Sequence, residues 1–357
     1  MAETTIEWTS GRRADSSVIP GYTFNPVVGC SKISPGCQNC YASVETFTRV
    51  QRAKGRELWG DAGERHVTSK GNWAKPLAWN KEAEAMGERR KVFCASLSDW
   101  LEDRPEWIHP RASLLYLIRQ TPWLDWLLLS KRVDGWRARM QEVVDIERVG
   151  SHDGHILAHQ WLNGLAVPEN VQLGVTVENQ KWADARREAF KEIPARVKFV
   201  SYEPALGPVN WDGWEFIDQI ISGGESGLGA RPSHPDWHRT TRDWCNAKKK
   251  AYFFKQWGSW KPFSEMSEAE RFSLYRSNRK AKGDEDQGVL DDVFGRTCTV
   301  ETSAIGYGGQ IGMDKAFWVD RFGNNGHDGM QVFKVGKKRA GRTLDGRTWD
   351  QFPEVAQ

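Results

Sequence analysis

Three cysteines fall within eleven residues of the stretch "VVGCSKISPGCQNCYAS" (27–43): Cys30, Cys37 and Cys40, spaced C-x6-C-x2-C among Gly29, Pro35 and Gly36. Thiolates bind zinc and iron–sulfur clusters well, and the C-x2-C step lets two sulfurs converge on one metal centre. A closed zinc site needs a fourth ligand. Cys94, Cys245, Cys298 and eight histidines are available for it, none at a zinc-finger spacing. An iron–sulfur cube held by three thiolates leaves one iron open for a substrate or cofactor, so an odd ligand count suits it. From these residues alone zinc and cluster both stay open, with inert thiols as a third reading.

A second set of reactive groups follows a series of short apolar runs. The runs are "KVFCAS" (91–96), "WLLLS" (126–130), "VQLGVTV" (171–177), "VKFVS" (197–201), "QIISGG" (219–224) and "AYFFK" (251–255). At or just past their ends stand Ser96, Ser98 and Asp99; Ser130, Lys131 and Arg132; Glu178 and Asn179; Glu203; Glu225 and Ser226; and Lys255 and Gln256. Strands end in polar loops anyway, but recurrence after six runs, with carboxylates at three of the later ones, points to a functional rim.

The elements that must position these groups are strands alternating with helices. The runs are short, β-branched or aromatic, and bounded by Gly, Pro or polar residues, as buried parallel strands are. Segments 106–121 and 181–193 have helical spacing. Alternation implies a parallel sheet with helices outside it, either a (β/α) barrel, complete or partial, or an open doubly wound sheet. No G-x-G-x-x-G fingerprint opens any unit, which favours the barrel, and a barrel keeps its site at the C-terminal rim. Residues 1–260 therefore read as a partial (β/α) barrel with the cysteine loop at 30–40. Residues 261–330 are a charged, Gly-rich accessory segment ("GYGGQIG", "FGNNGHDG"), and 331–357 a basic C-terminal segment packing on the barrel.

Composition narrows the class. The chain has 357 residues, 39% of them hydrophobic, with no apolar run approaching the ~20 residues of a membrane span. The start "MAETTIEWTS" lacks a secretory layout, which places the protein in the cytoplasm. Six cysteines, three of them clustered, favour a metal or catalytic thiol site over disulfides. A net charge of +3 does not announce a nucleic-acid binder, yet Lys334 to Arg347 carries six Lys or Arg against Asp345 alone. That segment is either a solvated tail or a phosphate-contacting patch. Among nineteen tryptophans, Trp8, Trp73, Trp79, Trp100, Trp257 and Trp260 read as loop residues that could stack on a base or sugar.

Seven collinear motifs carry a resemblance: "TFNPVVGCSKISPGCQNCYA", "LSKR", "LGVTVENQ", "VSYEPALGPV", "ISGGESGLGARPSHPDW", "FFKQWGSW" and "KVGKKRAGRTLDGRTWDQFP". Together they resemble a phage-associated family of unknown function, named by some for its three-cysteine motif. That family in turn resembles radical S-adenosylmethionine enzymes, especially the spore photoproduct lyase branch, where an aromatic residue follows the last cysteine as Tyr41 does here. The resemblance implies a partial barrel of the radical S-adenosylmethionine type with a 4Fe–4S cluster on Cys30, Cys37 and Cys40. S-adenosyl-L-methionine would chelate the open iron, and its reductive cleavage would give a 5′-deoxyadenosyl radical that takes a hydrogen atom from substrate. Here the first cysteine gap is six residues, where the usual spacing is three. Gly223, Gly224 and Glu225 match the family's "GGE" in type but come too late in the chain, so that role is not carried over. Ser96, Ser98 and Asp99, after the second strand, are assigned to the cofactor's amino group instead. Tyr41, Lys131, Arg132 and Glu178 complete the cofactor site, and Glu203, Glu225 and Lys255 face substrate.

The expected activity is modification or rearrangement of a pyrimidine base in phage DNA, with the base flipped out or modified before pairing. The expected partners are a nucleic acid or nucleotide, an electron donor such as flavodoxin and, by the resemblance, a companion protein, with no membrane. The setting is the host cytoplasm if the protein is phage-encoded. One rival is a zinc-stabilised nucleic-acid-binding protein without catalysis. Another is a barrel glycoside hydrolase using Glu203 and Glu225 as its carboxylate pair.

Overall fold

The computed structural model describes residues 4, 6–13, 15, 17–146, 154–312 and 329–353. Seven parallel strands form one curled sheet: β1 (Tyr22–Phe24), β2 (Arg90–Cys94), β3 (Leu124–Ser130), β4 (Val171–Thr176), β5 (Val197–Tyr202), β6 (Gln219–Gly223) and β7 (Ala251–Gln256). Each pairs with the next in sequence, and β1 and β7 remain as edges, so the sheet is a half-barrel. The six apolar runs are β2 to β7. The three-residue β1 is too short to show a pattern of its own.

Alternation along the strands sorts residues between two faces. Phe93, Leu127, Phe199, Ile221 and Phe253 gather inside the curl around Trp8 of the N-terminal 3-10 turn Glu7–Thr9. Their chain neighbours Val92, Leu128, Val200, Ile220 and Phe254 belong to the larger core on the helical side. The longer helices up to the end of the half-barrel are α1 (Thr46–Ala53), α2 (Lys75–Met86), α3 (Ile108–Gln120), α4 (Trp136–Ile146), α5 (Gly154–Leu162), α6 (Gln180–Glu192) and α7 (Pro235–Ala247). Asn179 caps α6, its side chain accepting from Trp182 N at 3.3 Å. Between β5 and β6 the crossover is irregular and buries Trp211 and Trp214.

The same inside–outside period carries the chemistry. Two residues past Leu129 is Lys131, two past Thr176 is Glu178, two past Ser201 is Glu203, and two past Gly223 is Glu225. The inward face thus turns from apolar at the floor to charged at the C-terminal rim.

The tryptophans overturn one expectation. Trp8, Trp79, Trp100, Trp257 and Trp260 are all at most 4% exposed, and Trp73 packs against the main core. Trp79 stacks on Tyr22 with centroids 4.3 Å apart. Their large apolar surface is spent on burial, which leaves these rings unavailable as stacking platforms in open loops.

Beyond the half-barrel lies a four-stranded antiparallel sheet of β8 (Trp260–Pro262), β9 (Thr302–Gly306), β10 (Ile311–Gly312) and β11 (Gly329–Lys334), in the order β8-β11-β9-β10. Ile305, Met330 and Val332 from it, and Ala340 and Leu344 after it, join the main core. "GYGGQIG" makes the β9–β10 turn, whereas "FGNNGHDG" lies outside the described residues but for Gly329. The C-terminal segment then covers the edge of β7: Phe254 N donates to Trp349 O at 2.9 Å and Tyr252 N to Gln351 Oε1 at 2.9 Å. Most of its cations are engaged within the chain. Lys334 pairs with Glu301 at 2.7 Å, Arg342 with Glu7 at 2.5 Å, and Arg347 lies over the Trp349 ring at 3.6 Å. Among the described residues no helix is long and apolar enough to cross a membrane.

Candidate functional site

A cavity of ≈ 470 Å³ opens inside the half-barrel at the C-terminal ends of the strands, within the usual range for small-molecule sites. Its floor is apolar, with Trp8, Phe93 and Leu129; its walls carry Cys30, Cys37, Cys40, Tyr41, Ser96, Ser98, Asp99, Lys131, Arg132, Glu203, Glu225 and Lys255. Twelve of the thirteen sequence-selected residues therefore meet in one volume. The thirteenth, Glu178, has a side chain with no exposure and lies behind Lys131.

The cysteine loop follows β1 and is held from beneath. Ser34 bonds both ways, its Oγ lying 3.6 Å from Cys37 Sγ and donating to Glu178 Oε1. Gly36 leaves room for this approach: a Cβ there would stand 2.7 Å from Glu178 Oε1 and 3.1 Å from Pro204 Cδ. Glu178 also accepts from Lys131 Nζ at 2.7 Å and Arg186 Nη1 at 2.8 Å. Burial opposes its charge, but the two cations outweigh it and hold the carboxyl below its ordinary range.

Arg132 is the link between loop and sheet. It reaches Cys30 Sγ at 3.6 Å, Asp99 Oδ2 at 2.9 Å and Ser31 O at 2.9 Å. Asp99 accepts further from Ser130 Oγ at 2.6 Å, Lys131 N at 3.0 Å and Leu101 N at 3.1 Å. Burial disfavours its ionised form, yet Arg132 and these donors keep its pKa lowered. Ser31 is fixed in turn by Glu102, which is clamped by the fully buried Arg65 at 2.6 Å. Desolvation pushes the thiols of Cys30 and Cys40 up; Arg132 works against that at Cys30, and the Ala42 backbone amide and then Lys131 at Cys40.

Ser96 Oγ exchanges hydrogen bonds with the Asn25 amide, and Ser98 Oγ donates to Val27 O at 2.8 Å. Tyr41 OH donates to Ser96 O at 3.0 Å, closing the cysteine loop over the turn after β2. On the opposite wall Lys255 Nζ pairs with Glu203 Oε1 at 3.0 Å. Glu225 takes a two-pronged contact from Arg231, at 2.6 and 2.8 Å, and accepts from Asn39 Nδ2 at 3.1 Å. Arg231 also donates to Pro35 O at 2.9 Å, so the β6 rim grips the cysteine loop directly.

Among the described residues no group of three or more His, Cys, Asp or Glu is drawn together to hold a metal ion. Ligands of one ion meet at a point, whereas those of a cube sit at separate irons and ring a volume. Cys94 and Cys245 lie in the main core and Cys298 in the accessory region, all away from the cavity.

A family model described as "Protein of unknown function (DUF5131)" matches residues 3–353. The chain belongs to that family. No curated protein and no solved structure matches it. The DUF5131 match spans the half-barrel, the accessory sheet and the C-terminal segment together. It agrees with the resemblance read from the seven motifs, as to a family of unknown function.

Several working residues of this DUF5131 chain escape sequence reasoning. Ser34, Asn39 and Arg231 sit inside quoted motifs but carry no spacing signal. Arg65, Glu102 and Arg186 act through buried ion pairs made across the fold. Lys337 lines the cavity from the C-terminal segment, 297 residues after Cys40 (337 − 40). Only the "KVGKKRAG" motif could have pointed to it.

Proposed function

We propose that this protein is a radical S-adenosylmethionine enzyme that modifies or rearranges a pyrimidine base of phage DNA. One observation carries the reading: Cys30, Cys37 and Cys40 line the same cavity as the charged strand ends, and no other cysteine and no described histidine lines it. Three thiolates with Arg132 and Lys131 against them suit an anionic cluster that keeps one position open. Bound there with S-adenosyl-L-methionine, a 4Fe–4S cluster supplies a 5′-deoxyadenosyl radical for hydrogen abstraction.

The chain's own residues do the rest. The cysteine loop is clamped by Glu178, Arg231 and Arg132, which fixes the three thiols relative to the sheet. Trp8, Phe93 and Leu129 make a dry floor that keeps water from a reactive species. Ser96, Ser98 and Asp99 have their side chains engaged, so the turn they form would meet a cofactor's amino group through backbone carbonyls. Lys131 and Arg132 would meet its carboxylate. Glu203, Glu225 and Lys255 stand on the wall left for substrate, and a flavodoxin-type donor would supply electrons.

The rivals fit less well. A closed zinc site finds no fourth cysteine or described histidine at the cavity. A glycosidase needs a carboxylic acid free to protonate a leaving group, yet both oxygens of Glu225 accept from Arg231 and Glu203 is paired with Lys255. Protein purified without oxygen and reconstituted with iron and sulfide should hold about four irons per chain. It should lose them in Cys37→Ala and form 5′-deoxyadenosine once reduced. One zinc per chain without 5′-deoxyadenosine overturns the reading in favour of a nucleic-acid-binding protein.

A further inference from the structure

The charged groups of the cavity are matched pair by pair: Lys131 with Glu178, Arg132 with Asp99, Lys255 with Glu203, and Arg231 behind Glu225. Lys337 breaks the pattern. It lines the same cavity, is exposed, and makes no ion pair among the described residues. Lys32, on the cysteine loop, is the other lining lysine in this position, but it belongs to the thiol wall. Lys337 belongs to the wall of β7. Lys255 repels its charge, and Glu203 and Glu7 attract it; Glu203 is already paired with Lys255 and Glu7 with Arg342, so three cations share two carboxylates and leave a local excess of +1 (3 − 2).

Its place is built rather than accidental. The turn Lys337–Ala340 is pinned to the loop after β7: Gly336 N donates to Ser259 O at 3.0 Å, Trp257 N to Gly341 O at 3.1 Å, and Trp257 Nε1 to Thr343 O at 2.7 Å. Left-handed glycines at both ends, φ +84° at Gly336 and +75° at Gly341, let the chain enter and leave this tight turn. Ala340 and Leu344 anchor it in the core. A cation set on a cavity wall by a pinned backbone, with the acids around it already paired elsewhere, is arranged to meet an anion brought from outside.

We propose that Lys337 and Lys255 form a subsite that takes a phosphate group carried by the substrate. The phosphate as such is argued from the charge pattern; its attachment to a nucleoside rests on the nucleobase reading above. Either a free nucleotide or a DNA strand can present that group.

Calorimetric titration of the full chain with thymidine, thymidine 5′-monophosphate, a thymidine oligonucleotide and inorganic pyrophosphate tests it, in wild type and Lys337→Ala. The monophosphate should bind about tenfold tighter than thymidine, and Lys337→Ala should remove most of that margin while leaving thymidine unchanged. A strand as the source predicts tighter oligonucleotide binding, with the salt slope reduced by about 0.7 in the variant. A free nucleotide predicts that the monophosphate binds as tightly as the oligonucleotide. Equal binding of thymidine and its monophosphate in the wild type, or an equal margin between them in Lys337→Ala, overturns the subsite. Should only pyrophosphate bind, and depend on Lys337, the subsite stands and the nucleobase reading falls. If none of the four binds, the subsite falls. Formation of 5′-deoxyadenosine reports on the radical chemistry separately.

Discussion

Arg132 ties the first cysteine to a buried acid: its Nη1 lies 3.6 Å from Cys30 Sγ and 2.9 Å from Asp99 Oδ2. Among the described residues the guanidinium is the full positive charge that hydrogen-bonds to one of the three thiols, and Asp99, Cys30 and Glu102 raise its own pKa despite burial. Arg132→Met keeps an unbranched apolar stem, two atoms shorter, and removes the charge. On the proposed cluster reading, iron retention against a chelator should weaken by about 10- to 100-fold, the usual effect of removing a group that supports metal ligands. Unchanged retention would show that the contact does not serve the thiols.

Glu178 holds two cations in a dry place, and breaking such a set leaves charges unpaired. Glu178→Ala should cost about 3–5 kcal/mol in urea unfolding. The exposed pair Lys334–Glu301, with side chains 23% and 48% exposed, should cost less than about 1 kcal/mol when Glu301 is replaced by Ala. Comparable losses for the two variants would refute the assigned burial of Glu178.

Gly36 separates stability from site geometry. A methyl group there meets Glu178 and Pro204, so the 34–37 stretch must shift while the half-barrel core is untouched. Gly36→Ala should destabilise by about 1–3 kcal/mol, the usual range for overpacking, and, on the proposed cluster reading, lower iron occupancy several-fold. Metal analysis beside thermal unfolding distinguishes this from Glu178→Ala, where stability falls further.

His238 makes stability pH-dependent. Its ring is wholly buried, with Nδ1 2.6 Å from Ser222 Oγ and Nε2 2.9 Å from Ser233 Oγ, and burial lowers its pKa to about 3. The unfolded imidazole, near 6.5, binds a proton first as pH falls. The stability contributed by the neutral ring is therefore complete above about pH 6.5 and is lost progressively down to about pH 3. His238→Gln should flatten the decline of the urea midpoint across that window relative to wild type. An equally steep decline in the variant would assign it to carboxylates instead.

How much of this was legible beforehand differs by element. Runs of β-branched and aromatic residues revealed β2 to β7 because burial on both faces demands apolar residues throughout. β1 was invisible at three residues, being defined by pairing with β2 and not by composition. The loop assignment of the tryptophans failed because local polarity does not report whether distant chain returns to cover a ring. The rim residues were found for a simple reason: inward-facing positions beyond an apolar floor are where a parallel half-barrel leaves polar groups.

The kinds of groups present are written locally, three thiols in one loop and a charged group at the end of each of the six apolar runs, because spacing alone sets them. Tertiary structure decided which of them face one cavity and which are spent on one another. Glu178 became a buried clamp, Asp99 a saturated anchor, and Arg65, Arg231 and Lys337 entered from segments whose spacing gives no sign of the site. Ion pairs and cavity walls are long-range: they depend on which strand ends the curl of the sheet brings opposite each other, and no short window of sequence contains that distance.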